Sequence, residues 1–233
     1  MLRPALDRAI LFPYDTAKYD FHGVVTEDVY GVPDLSQLHR YWLSKRRAEN
    51  PEARLSYPDN LALRAVLQKQ GHDSRFYKLY RRFVHNELAP FFGGRIRYTM
   101  HPKCRVHLAR TEGVSNWHVD VEYTGRHEQV NAWMPFTDAY DTATLWSETD
   151  YCVGDHQPVD VMYGEVLLFD GGYLSHGTVP NRTNVTRVSI DFRFNAKRAD
   201  LHSPDRGILA GRPSGIWERI AGNRAASVSG GVQ

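Results

Sequence analysis

Two histidines and one aspartate form the set of residues in this chain best suited to hold a redox-active metal. His118 and Asp120 stand one residue apart in Trp117-His118-Val119-Asp120, and His176 lies in a distant segment. Two imidazoles and a carboxylate are the donor set of a non-haem Fe(II) site with open positions. If Trp117–Tyr123 is a strand, side chains repeat their direction every second residue. His118 and Asp120 then share one face, and Val119 and Val121 take the other. The third donor must come from elsewhere, and His176 is the best candidate. Alone, His-x-Asp carries little weight: with eleven His and seventeen Asp in the chain, about one such pair is expected by chance.

The surroundings of these residues carry more. His176 follows an apolar segment, Glu165 to Asp170, and the turn Gly171-Gly172. Further on, Val188, Ile190, Phe192 and Phe194 alternate with Arg187, Ser189, Asp191 and Arg193. A polar row with two arginines, on the inner face of a sheet that also carries metal donors, needs an anionic partner. A guanidinium fork matches a carboxylate with two charge-assisted bonds, which a lysine cannot reproduce. Arg187 is the preferred anion-binding group, with the Ser189 hydroxyl one pleat along. Arg193 is a rival on the same face, which Asp191 could neutralise internally. Asn131 shares a face with Gln129 and Trp133, so its amide either binds a ligand or is an ordinary buried amide.

The elements that position these groups are legible as period changes. Before residue 95 the spacing is helical. Asp34–Asn50, a segment after Asp59 ending at Gly71, and Ser74–Phe92 each carry an apolar stripe. Residues 1–32 give no firm period; they add a strand or wrap the core. After residue 95 short strands follow one another: 95–100, 103–109, 117–123, 129–136, 144–148, 159–162, 165–170 and 185–194. Eight short strands at this spacing predict a double-sheet jelly roll, or cupin-like barrel, with the helices over the Val188/Ile190/Phe192/Phe194 face. One domain is expected: a mainly helical cover over 1–94, the β core over 95–195, and a C-terminal extension over 196–233 with a short helix near 216–221.

These residues resemble a family. His118-x-Asp120, His176 and Arg187-x-Ser189 look like the Fe(II)/2-oxoglutarate-dependent oxygenases of the phytanoyl-type branch. Trp117 through Tyr123, Asn131-x-Trp133-x-Pro135, Leu145-Trp146-x-Glu148, His176-Gly177 and Asn181 through Arg193 are similar to the small oxygenases of aminoglycoside biosynthesis, the streptomycin-cluster type. The likeness covers roughly residues 95–195. It implies a double-stranded β-helix core and iron on His118, Asp120 and His176. It also implies 2-oxoglutarate held by Arg187 with Ser189, Asn131 and Trp133, and dioxygen as oxidant. The outcome would be hydroxylation, desaturation or oxidative ring closure at an unactivated C–H bond. Halogenating relatives lack the carboxylate ligand, so the presence of Asp120 argues against halogenation.

Composition sets the remaining bounds. At 233 residues the chain buries about 70% of its unfolded surface, enough for one core. No apolar run approaches the roughly 20 residues of a membrane span. With no apolar leader after Met1 and only Cys104 and Cys152, a bacterial cytoplasmic enzyme is expected. No basic-aromatic pattern suggests nucleic-acid binding. Between His118 and Asp170 eleven acidic residues face one basic, Arg126. Either exposed loops happen to be acidic, or the mouth suits a cationic ligand. Glu122, Tyr123, Trp146, Glu148 and Asp150 are the candidates to line such a mouth, since carboxylates pair ammonium groups and aromatic faces stack on sugars or cations. Arg105 could contact substrate or cosubstrate. The alternatives are a hydroxylase of an amino acid or other small metabolite, a non-catalytic cupin-like metal- or sugar-binding protein, and a zinc hydrolase.

Overall fold

The computed structural model describes residues 9–125 and 129–195. The expected helix near 216–221, His127 and the rest of the C-terminal extension lie outside the described residues.

The N-terminal half folds as capped helices. After β1 (Ala9–Pro13), α1 (Phe21–Val24) continues as a wider turn over Val25–Tyr30 and stops at Gly31, where φ is 60°. Asp34 accepts a bond from the Ser36 amide at 2.8 Å and opens a tight turn, Leu35–Gln37, that leads into α2 (Leu38–Glu49). Ser56 and Asp59 form a reciprocal capping box on α3 (Tyr57–Gln68), which therefore starts three residues earlier than the sequence spacing suggests. Ser74 caps α4 (Arg75–Phe83), which runs through a wide turn at Val84–Leu88 into α5 (Ala89–Phe91).

The strands form two antiparallel sheets. In the larger, β1, β7 (Glu165–Phe169), β4 (Val130–Pro135) and β9 (Arg187–Asn195) lie side by side. The far edge of β9 is shared by β2 (Arg97–Tyr98) and β3 (Lys103–His107). The smaller has β5 (Leu145–Ser147) between β6 (Gln157–Val159) and β8 (His176–Gly177). More residues lie in helices than in strands, but the sheets hold most candidate site residues; Asp120, Glu122 and Tyr123 lie on the short helix α6 (Asp120–Thr124), and His118 and Glu148 lie just outside strands.

The alternation of β9 divides the molecule. Val188, Ile190, Phe192 and Phe194 face the helices together with Cys104, Val106, Ala132 and Met134. The joint is largely aromatic: Tyr80 meets Phe192 edge-on at 5.1 Å, and Phe21 stacks on Phe136 at 5.4 Å. The opposite face of the large sheet packs on the small one through Leu11, Trp133, Leu145, Val159, Leu167 and Phe169. This is the expected placement of the helices on one sheet. β1, which was not firm in the sequence, completes the large sheet against β7.

One buried carboxylate ties the helices together. Asp59 is 1% exposed; it accepts from Trp42 Nε1 at 2.8 Å, Arg46 at 2.5 Å and the Ser56 amide at 2.9 Å. Replacing Asp59 by Ala removes half of the capping box and strands the donors of Trp42 and Ser56, while half-exposed Arg46 can turn to water. A loss of about 2–4 kcal/mol is expected in urea unfolding. An unchanged midpoint would show that this network contributes nothing.

Candidate metal centre

The expected strand over 117–123 is corrected by the structure. Only His118 pairs as in a sheet, bridging His176 through two backbone bonds of 3.1 and 3.0 Å. The chain then turns into α6, because the amides of Asp120 and Val121 find the carbonyls of Gly171 and Gly172 at 2.8 and 3.3 Å. Gly125, at φ 60°, ends the helix. His118 and Asp120 therefore converge from a strand–helix junction rather than from one strand face. His176 comes in from β8, held between Ser147 of β5 and His118.

The donors are oriented as well as brought together. His118 Nδ1 donates to the Asn116 carbonyl at 2.7 Å, and His176 Nδ1 donates to the Leu174 carbonyl at 2.9 Å. With Nδ1 so engaged, each ring turns Nε2 toward the site; the bond to Asp120 raises the His118 pKa, and a metal ion would displace that proton. His118 Nε2 lies 3.4 Å from Asp120 Oδ1, and one donor atom from each of His118, Asp120 and His176 lies within 4.8 Å of the others. The second oxygen of Asp120 is spoken for: Oδ2 accepts from Arg193 Nε at 2.7 Å and from Asn131 Nδ2 at 2.5 Å. Burial opposes ionisation of Asp120, yet the bonds from His118 and Arg193 outweigh it and hold the carboxyl well below its usual range. Burial, with His118 beside it, pushes His176 down to about 4, so its ring stays neutral. A rigid, ionised carboxylate and two imidazoles oriented by their Nδ1 bonds fit a divalent ion.

The same cleft holds Arg187, which is 1% exposed. Its Nε donates to the Ala143 carbonyl at 3.2 Å and its Nη1 to Ser189 Oγ at 2.9 Å, while the guanidinium lies 5.6 Å over the Trp133 ring. Burial pulls its pKa down to about 9, helped by the charge of Arg105. No carboxylate among the described residues bonds to it. The other two arginines of the cleft are paired: Arg193 with Asp120, and Arg105 with Asp191 at 2.9 Å. The expected neutralisation of Arg193 by Asp191 is thus replaced by a crossed pairing. Asn131, read either as a ligand contact or as an ordinary buried amide, gives its Nδ2 to Asp120 while its Oδ1 has no protein partner among the described residues.

The substrate-side candidates separate. Tyr123, 75% exposed, sets its ring edge against His118 at 5.7 Å, and Glu122 is exposed beside it on α6. Trp146 and Glu148 make contacts of their own. The Trp146 indole is tied to the Asp141 carbonyl at 3.0 Å, and it is its neighbour Leu145 that lines the cleft. Glu148 is 4% exposed and clamps the amides of Gly154 and Ser175, both at 2.8 Å. Sequence reasoning missed the clamping roles of Arg193 and Asn131, and it missed Trp117 as a surface feature. The Trp117 indole, 45% exposed, stacks on His156 at 4.0 Å and leaves no room for a Cβ on Gly177.

No family model matches the chain. Streptomycin biosynthesis protein StrG of Streptomyces griseus is 36% identical over 202 residues, which covers 82% of this chain and 93% of StrG. This chain belongs to the StrG family. Among solved structures, AviO1 of Streptomyces viridochromogenes Tue57 overlays with a TM-score of 0.53 at 17% identity, over 82% of this chain and 90% of AviO1. That likeness establishes a shared fold, so this StrG-family chain uses a scaffold found in other proteins. Among the described residues no helix is long and apolar enough to cross a membrane.

Two outcomes are expected of this StrG-family site. Asn131→Leu frees Asp120 Oδ2 on one side and lowers Mn(II) affinity roughly tenfold to hundredfold by titration calorimetry; unchanged affinity would dismiss the clamp. Asp170, 1% exposed and bonded by Tyr151 at 3.1 Å, is pushed up to about 6 by burial. The folded state then holds this proton more tightly than the unfolded chain, so the contribution to stability falls as pH rises from about 4 to about 6. Subtracting the urea-unfolding profile of Asp170→Asn from that of the wild type should show this fall. A flat difference curve contradicts it.

Proposed function

We propose that this chain is an Fe(II)- and 2-oxoglutarate-dependent oxygenase. It acts in antibiotic biosynthesis on an unactivated C–H bond of a cationic amino sugar. One observation carries the reading: two imidazole Nε2 atoms and a clamped carboxylate converge in a cleft that also holds a buried arginine with no carboxylate partner among the described residues. His118, Asp120 and His176 would hold the iron. Arg187, with Ser189 beside it and Trp133 beneath, would hold the distal carboxylate of 2-oxoglutarate. With these groups bound, oxidative decarboxylation of 2-oxoglutarate by dioxygen gives succinate and carbon dioxide and drives oxidation of the substrate.

The protein's own part is orientation and charge. Arg193 and Asn131 keep Asp120 ionised and turned toward His118. The two Nδ1–carbonyl bonds fix the tautomer of each histidine. Burial of Arg187 strengthens its attraction for an anion, because little water competes. The streptomycin pathway of the StrG relative and the exposed Glu122 and Tyr123 beside His118 support a cationic sugar as substrate. The helical cover and β core are read as one catalytic domain.

The test is turnover of aminoglycosides with Fe(II), 2-oxoglutarate and dioxygen, following succinate and product mass together. A gain of one oxygen indicates hydroxylation, and a loss of two hydrogens indicates desaturation or ring closure. A protein that binds metal but neither binds nor consumes 2-oxoglutarate is instead a binding module or a zinc hydrolase. Arg187→Leu should weaken 2-oxoglutarate binding by at least roughly thirtyfold. Arg187→Lys should not restore it, since the ammonium lacks the two-bond fork.

A further inference from the structure

His107 is a polar group of the inner face that the proposed reaction has not used. It is fully buried, and neither Nδ1 nor Nε2 has a hydrogen-bond partner. The backbone of Thr111 and Glu112 approaches the ring and pulls its pKa up, against the larger effect of burial. A buried imidazole left in this way is a standing penalty, and native structures retain few of them. Its position gives the reason. His107 ends β3 directly opposite Arg187 in the antiparallel register, and it lies two residues from Arg105, which lines the cleft. Residues paired directly across strands hold their side chains on one face, about 5 Å apart at Cβ.

Charge sharpens the point. In this cleft Arg105 and Arg193 are each matched by an aspartate, and Arg187 is the guanidinium without one. Burial and the neighbouring Arg187 charge push His107 down to about 3, so its ring is neutral and keeps one N–H donor under working conditions. A neutral donor can stand beside a guanidinium where a second cation could not.

We propose that His107 is a second donor to the carboxylate that Arg187 binds. Its ring N–H would take one oxygen, the guanidinium would hold the other, and the pair would select a dicarboxylic 2-oxo acid over a monocarboxylic one. This rests on the cosubstrate reading above, and the experiment separates the two. 2-Oxoglutarate and pyruvate, which has no distal carboxylate, are titrated by calorimetry into the Mn(II)-loaded full chain. The proteins are wild type, His107→Leu, His107→Gln and Arg187→Leu, each with its melting curve.

His107→Leu should weaken 2-oxoglutarate roughly tenfold to hundredfold, the loss of one bond to a charged group, and leave pyruvate unchanged. His107→Gln, which keeps a donor, should recover most of the loss. In 15N-histidine spectra of the wild type, the His107 N–H signal should move on adding 2-oxoglutarate. The inference is overturned if His107→Leu binds 2-oxoglutarate like wild type, if both acids weaken equally, or if the N–H signal stays still. Should His107→Leu fail to fold, the glutamine variant and the spectra decide. If 2-oxoglutarate does not bind wild type, or binds Arg187→Leu as tightly, the cosubstrate reading fails and His107 goes with it. If only Arg187→Leu weakens binding, the role of His107 alone is lost.

Discussion

The bond between Arg193 and Asp120, 2.7 Å long, is the contact on which the site depends. It joins the longest strand, β9, to a five-residue helix that makes little core contact of its own. An isolated helix of that length has no stability in water. α6 keeps its place because its amides end on the Gly171-Gly172 turn and its first carboxylate is gripped from the sheet. Arg193 thus does two things at once: it places a candidate metal ligand, and it decides which oxygen of that ligand stays available.

The same strand sets the charge pattern of the interior. Its apolar face seals the helical layer, and its polar face brings Arg187, Asp191 and Arg193 into a space that excludes most water. Buried charge is tolerated when it is paired and costly when it is not. Two of the three arginines in the cleft obey that rule with protein partners. Arg187 departs from it, supported only by a carbonyl, a hydroxyl and an aromatic face. Structural economy does not call for such a residue at 1% exposure, whereas recognition of an anion does.

Much of this was legible in the sequence because β9 has a clean period of two. The pattern from Arg187 to Phe194 predicted which row faces the helices and which faces the site, and the pairing with β3 and β4 follows it. The three metal-donor candidates were also readable, because residue type limits who can ligate. What sequence could not supply was partner choice. Arg193 and Asp191 are two residues apart and looked like partners, yet each found its mate on another element. The strand assigned to 117–123 failed for a related reason. Val119 and Val121 favour extension locally, but distant glycine carbonyls drew the amides into a helical turn. Glu148 looked like a substrate contact by type alone, and only the fold of its loop shows that its oxygens are already taken.

The Gly171-Gly172 turn has a wider consequence. A Cβ on Gly171 would fall 2.5 Å from Asn131 Nδ2, while the Gly171 carbonyl receives the Asp120 amide. Turn, amide side chain and carboxylate therefore fit together like three pieces of a lock, in which no piece can change shape alone. A side chain on Gly171 would therefore push on the amide that holds Asp120, so the turn and the carboxylate are fixed by one another.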